Sequence, residues 1–414
     1  MRSHIHTWSS LVICIIALVG CQNATLPIQT VVSPTLTAIS LPTVTVSTLG
    51  PTLTPANRTS TPTLTSQPTS TPSATKNIVA PIDYSNVGAI EPIGAPFVSQ
   101  VAQAQMAFRQ GEVWVIIPNQ LGELEIKEFH SLAPVTMLPN ASNVESLIVS
   151  QDGHYLAAVN PVNGTISLWD LDALQLVGTL VFQGYYSGYT LTGEFSPDNK
   201  YLAIGGCRLV RIALPVCQSS GVAIYELATM NLFQEIIGYQ EDTWKVIFSP
   251  SGDVLAASGK KEDILQADLL IWNLNLNAKQ DTITFKLNGT DEELGDIAFS
   301  QSEEKMASIA SSRGGDSALV LWDVETWTPV TNCGPGHGPI AVRYIPNTFL
   351  LVTIDGLSDT GITFWNTKTC EPIRFIPTLI GGLYNLVVSP NGRFIYTWSD
   401  DLSGNYKIQE WGVP

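Results

Sequence analysis

Residues 195–206 read FSPDNKYLAIGG: an aromatic closes one apolar run, a short polar turn follows, and a second apolar run begins. Pro197 presets φ for a turn, and Asp198 and Asn199 tolerate the left-handed region, so the stretch predicts a tight hairpin between two strands. A third run, VAIYE (222–226), then closes on Tyr225. The same unit returns as VSQDG (149–153) with ISLWD (166–170), and as FSPSG (248–252) with LLIWN (269–273). It returns again as FSQSE (299–303) with LVLWD (319–323), and as VSPNG (388–392) with KIQEW (407–411). The closing aromatic falls at Trp169, Tyr225, Trp272, Trp322, Trp365 and Trp411, and a weaker copy, EIKEF (125–129), sets Phe129 in the same slot. Seven copies result, spaced on average by about 47 residues.

A period near ~40–45 residues with short strands separated by turns is that of a four-stranded propeller blade. The second strands, such as YLAIGG (201–206) and VLAASG (254–259), are apolar on both faces, as expected of strands packed between neighbouring sheets. The expected fold is all-β: a seven-bladed β-propeller of four-stranded antiparallel blades. From about Ile90 to the end the pattern resembles the WD-repeat family. The hairpin turn carries the resemblance, together with Trp-Asp at Trp169–Asp170 and Trp322–Asp323. Glu226, Asn273, Asn366 and Gly412 stand where the family has Asp, and the family's Gly-His pair occurs once, at Gly336–His337. Stability is therefore expected to rest on packing between sheets, anchored by Trp169, Tyr225, Trp272, Trp322, Trp365 and Trp411, more than on the family's His, Ser, Trp and Asp network. The last copy stops after its third strand. The resemblance implies that the missing outer strand comes from upstream, where AIEPIGAPFV (89–98) is available.

The chain begins with Arg2 and an apolar stretch from Leu11 to Gly20 that ends at Cys21. Ten helical residues rise only about 15 Å, too short for a hydrocarbon core of about 30 Å, so residues 1–20 read as a signal peptide. Leu18, Val19, Gly20 and Cys21 resemble the lipobox of bacterial lipoproteins, which implies lipidation of Cys21; an ordinary secretory signal with an incidental cysteine is the alternative. Residues 21–85 read as a disordered Ser/Thr/Pro-rich tether, because such a composition cannot bury enough apolar area to offset its ordering entropy. Residues 86–414 form the propeller. The expected location is the extracytoplasmic side of a bacterial membrane.

All 36 acidic residues lie beyond Ala80, whereas three of the 20 basic ones precede it. Such a surface repels phosphate backbones, so nucleic acid is not an expected partner. Cys207 and Cys217 flank a long insertion in the third copy, and an oxidising space predicts a disulfide there, with two buried thiols as the alternative. Cys333 and Cys370 are expected on opposite faces, and no pairing between them is predicted.

Catalytic signatures are missing: the sequence has no H-E-x-x-H, G-x-S-x-G or Walker loop. His130 and His154 read as solvent-facing turn residues, and His337 as a structural residue of the family's loop. Asp400, Asp401, Ser403, Gly404 and Asn405 offer oxygens for Ca²⁺ or simply make a polar hairpin turn, the reading we adopt. Asp291, Glu292, Glu293 and Asp296 read as a solvated loop. No metal or cofactor is expected. Irregular insertions concentrate on the face where outer strands lead to the next inner strand. Tyr185, Tyr186 and Tyr189 lie there, with Trp244 and Tyr384 in equivalent register near the channel mouth; aromatics of this kind suit partner contacts. The resulting expectation is a monomeric, envelope-anchored, non-catalytic scaffold binding a protein or glycan. The alternatives are a propeller hydrolase or lyase using carboxylates and Ca²⁺, and a solute-binding lipoprotein serving a transporter.

Overall fold

The computed structural model describes residues 80–414 except 110, 140, 183–190, 212–215, 240–242, 261–266, 275–277, 286–291, 313–316, 336–337, 357–359, 379–381 and 402. The signal, Cys21, most of the tether and Tyr185, Tyr186, Tyr189 and His337 thus lie outside the described residues. Strands form seven four-stranded antiparallel sheets, each composed of consecutive strands except the last. Blades 1 to 6 span residues 105–138, 146–181, 192–239, 243–285, 292–335 and 339–377. Blade 7 takes its inner three strands from 383–412 and its outer strand, Glu91–Ser99, from upstream, with Glu91 opposite Gly412 and Ser99 opposite Tyr406.

The recurrent serine of the turn is the hub of the first hairpin in blades 2, 3, 4, 5 and 7. Ser196, 2% exposed, donates to Asp198 Oδ1 at 2.7 Å and accepts the N–H of Tyr201 at 2.9 Å. Ser150 and Ser389 do the same with Asp152 and Asn391, and with the N–H groups of Tyr155 and Phe394. A buried hydroxyl that donates once and accepts once is satisfied, so the turn closes without an orphan polar group. The residue that completes the turn is left-handed in six blades: Gly153, Asn199, Gly252, Glu303, Asn347 and Gly392.

Seven apolar clusters fill the seven seams, and each receives the aromatic anchor of the blade that follows it. Trp169, Tyr225, Trp322 and Trp365 sit in seams 1/2, 2/3, 4/5 and 5/6, and Trp411 in seam 6/7. Trp272 packs against seam 3/4 and Phe129 lies in seam 7/1. Seam 6/7 also buries Ile82, Val87 and Ile90, and Ile82 N–H donates to Gly392 O at 2.9 Å. Ile82, which composition assigned to the tether, is thus buried in the propeller, while the rest of residues 80–85 stays exposed.

Three further expectations are corrected. The segment from Cys207 to Cys217 is no loop: the second and third strands of blade 3, Tyr201–Arg211 and Val216–Glu226, continue as one long hairpin. Cys207 and Cys217 are bonded across it, Cα to Cα 5.7 Å. Glu292 and Glu293 belong to the inner strand Glu292–Phe299, not to a loop. Cys333 and Cys370 are also bonded, across seam 5/6. The cause lies in the hairpin joining third to outer strand, where Leu132, Leu174, Met230, Trp327 and Cys370 all have positive φ. Four of these five side chains turn sideways onto the preceding blade's seam. A left-handed bulky residue costs about 1–2 kcal/mol, which burying such a side chain offsets. Met230 covers Gly178 this way, and Cys370 reaches Cys333 by the same route.

The seam that closes the ring has its own polar clamp. His130, expected to face solvent, sets Nδ1 3.1 Å from Glu128 Oε1 and Nε2 3.2 Å from Glu410 Oε1 on blade 7. Tyr396 donates to that same Glu410 oxygen at 2.6 Å. Burial pushes the Glu128 carboxyl up, but the Ser131 and His130 hydrogen bonds outweigh it and hold the group at about 2.

Candidate functional site

The propeller's two faces differ. On one, the first-hairpin turns grip each other around the ring. The Arg109 guanidinium donates to Gly153 O at 2.9 Å and Asn199 Nδ2 to Asp152 Oδ2 at 2.5 Å. Ser251 Oγ donates to Glu303 Oε2 at 3.0 Å and Asn347 N–H to Gln301 Oε1 at 3.0 Å. His154, read as a free turn residue, belongs to this belt through Asp172, which Arg109 also engages.

On the opposite face it is the inner strands whose regularity breaks. In blades 4 to 7 the inner strand carries a bulge at the same level. Trp244 falls unpaired between Thr243, opposite Gly259, and Lys245, opposite Ser258. Ile340 and Tyr384 are the extra residues in blades 6 and 7, and Gly295 with Asp296 fill the equivalent gap in blade 5. A bulge re-aims side chains and twists the strand away from its ladder, and such irregularities gather next to functional sites. Trp244 is half-buried, whereas Tyr384 is 38% exposed with its ring edge-on to Tyr406, centroids 6.1 Å apart. Burial raises the Tyr384 hydroxyl, and Tyr406 and Asp400 raise it further. Trp244 and Tyr384 are not brought together, because blades 5 and 6 stand between them. The long disulfide-braced hairpin of blade 3 extends from the end of the sheet opposite the turn belt.

Between the faces, the inner strands line the channel with a chain of charges. Glu194 of blade 3 accepts the Phe248 N–H of blade 4 at 2.6 Å. Lys245 of blade 4 places Nζ 3.8 Å from Asp296 Oδ1 of blade 5. Asp296 Oδ2 in turn accepts the Val342 N–H of blade 6 at 2.9 Å and pairs with Arg343 Nη1. Burial pushes Glu194 up to about 7, against the pull of Lys245 and the Phe248 N–H. Burial also lowers Lys245, and Arg343 adds to that, while Asp296 and Glu194 oppose it. Sequence reading missed this chain, although one signal was present. TGEF, WKVIF, GDIAF and VRYIP each set a charge inside an apolar inner strand one or three residues before the strand-closing residue.

No family model matches the chain. Over 255 residues it is 26% identical to human striatin-4, a match covering 58% of this chain and 32% of that protein. It is 22% identical over 279 residues to the anaphase-promoting complex subunit cdh1 of Dictyostelium discoideum, covering 61% and 34%. With a WD repeat-containing protein, the WDS homolog of Arabidopsis thaliana, it shares 23% over 171 residues, covering 41% and 31%. The match spans about a third of the length of each of these relatives. The chain is thus similar to WD-repeat proteins, and its fold is a seven-bladed β-propeller.

This propeller keeps one part of the polar network of the WD-repeat family it resembles. Trp322, Trp365 and Trp411 donate their indole N–H to Ser308, Thr353 and Thr397 of the neighbouring strand at 2.8, 3.0 and 2.9 Å. In blades 2 and 4 the corresponding residues are Ala158 and Ala257, and there apolar packing stands alone on the second strand. Among the described residues no group of three or more His, Cys, Asp or Glu side chains is arranged to hold a metal ion. The Asp401 carboxylate accepts the N–H groups of Ser403 and Asn405, both at 3.0 Å, and pairs with Lys407 at 3.3 Å. Hydrogen bonds from Asn405 bring it down to about 2. This is a hairpin turn whose oxygens are already engaged.

Proposed function

We propose that this WD-repeat propeller is a non-catalytic interaction scaffold that binds a protein partner on the face carrying the bulged inner strands. One observation carries the reading: the turn face is interlocked around the ring, whereas Trp244, Ile340 and Tyr384 leave the ladder on the other face. Large aromatic side chains with few rotatable bonds supply contact area at low entropic cost. One of the similar proteins is by name a subunit of a complex, which agrees with a binding role. A hydrolase or lyase would need carboxylates free to meet a substrate or cation. Glu194 and Asp296 instead accept backbone N–H groups from the next blade.

The scaffold acts, in this reading, as a monomer outside the cytoplasm, anchored through lipid on Cys21 and held off the membrane by residues 22–79. Two disulfides favour an oxidising compartment. Radiolabelled palmitate should enter the wild-type protein and not a Cys21→Ser variant. For the face, pull-downs with the mature protein should lose the captured partner when Trp244 and Tyr384 are both changed to Ala. They should keep it when Arg109 and Asn199 on the turn face are changed. Retention in the first variant and loss in the second would reverse the assignment.

A further inference from the structure

The channel wall carries more hydrogen-bond donors than acceptors. Asp296 has one oxygen engaged by the Val342 N–H and Arg343, and its other oxygen faces Lys245 at 3.8 Å, beyond hydrogen-bond reach. Lys245 therefore brings three ammonium hydrogens into the channel without a hydrogen bond to any described residue. Arg343 uses only Nη1, toward Asp296 and the Val342 carbonyl, so its remaining N–H groups have no acceptor among the described residues. The two cations flank one carboxylate, and their side chains are 26% and 23% exposed, which gives access from the channel lumen. Glu194 has an oxygen on the Phe248 N–H and lies in the field of Lys245, Arg343 and Asp296.

We infer that Lys245 and Arg343 form a binding site for a small monocarboxylate in the central channel. Its class follows from the charge count. Two cations face one aspartate, Asp296, and a glutamate, Glu194, that burial keeps protonated up to about 7, so a single carboxylate is the acceptor that complements them. A dianion such as sulfate would leave the enclosed wall negative, at a cost that rises as water is excluded. Two cations with unused N–H groups suit a two-oxygen acceptor, since charge-assisted bonds from Lys and Arg to carboxylate are short and strong. The chain's formal charge of −16 gives no reason for an anion to gather elsewhere on it. Glu194 then sets the pH response. Because burial holds its proton to about 7, binding is favoured below that pH, and occupancy draws a proton onto Glu194.

Acetate titrated into the mature protein by calorimetry, with sulfate as comparator, tests this. The expected result is saturable acetate binding, up to about tenfold tighter near pH 6 than near pH 8, with proton uptake revealed by buffers of different ionisation enthalpy. Sulfate should bind more weakly than acetate. Lys245→Met should abolish binding, and Glu194→Gln should bind acetate with an affinity independent of pH. Should Lys245→Met fail to fold, the Glu194→Gln pH profile decides alone. Absence of saturation with acetate, equal affinity at both pH values, or preference for sulfate would each overturn the assignment. Partner capture through Trp244 and Tyr384 is read separately, so failure here leaves the scaffold reading standing.

Discussion

Cys370 lies with its Cα 4.8 Å from that of Cys333 and is bonded to it across the seam between the fifth and sixth blades, where the second and third blades have only Met230 packed over Gly178. One blade contact has thus become covalent. The bond closes 37 residues, against ten for Cys207–Cys217. In the chain-entropy model these loops are worth about 4 and about 3 kcal/mol. Cys333→Ser should therefore lower the urea midpoint more than Cys207→Ser. Thiol counting on the folded protein should find none of these four cysteines free.

Gly153 cannot be replaced cheaply. Its φ is +74°, and a Cβ there would overlap the carbonyl oxygen of Phe108 on the neighbouring blade. Gly153→Ala should cost more than about 2 kcal/mol, because left-handed strain adds to a backbone clash. Gly88→Ala meets nothing within 4 Å and should stay within about 0.5 kcal/mol of wild type. Paired chemical unfolding curves check both.

The indole bond from Trp365 to Thr353 is buried at both ends. Thr353→Val keeps the shape and removes the acceptor, so it should cost about 1–3 kcal/mol with an unchanged denaturant slope. A shift near zero would mean that packing alone holds this anchor.

Glu194 makes stability depend on pH in a defined direction. Its carboxyl is pushed up from 4.5 to about 7 by burial, so between those values the unfolded chain has released a proton that the folded chain retains. Stability should fall as pH rises through that window, by about 3 kcal/mol. Glu194→Gln removes this dependence, and thermal melts at pH 5 and pH 8 should show it gaining on wild type at the higher pH.

The blade count, the turn chemistry and the aromatic anchors were legible because each copy repeats the same order of turn, apolar second strand and closing aromatic. The donated strand at Glu91–Ser99 was legible because the last copy lacks its partner. What escaped has no local period. The Cys333–Cys370 bond depends on a left-handed residue that turns its side chain onto the preceding blade, a direction that spacing along the chain does not encode. Lys245, Asp296 and Arg343 stand about 50 residues apart and meet only when three inner strands converge. The bulges at Trp244, Ile340 and Tyr384 each add one residue, too little to disturb a repeat whose length already varies. His130 read as a turn residue because its acceptor, Glu410, lies 280 positions away.

Ala80 bridges Val413, so the two extremities of the described chain meet on one edge of the ring. A circle whose ends touch has no privileged opening. A short linker could fuse those extremities while new termini are cut into an exposed turn between other blades, and the permuted polypeptide should regain the same architecture. Where such a cut is tolerated would also reveal whether assembly starts from one particular wedge or from any of them.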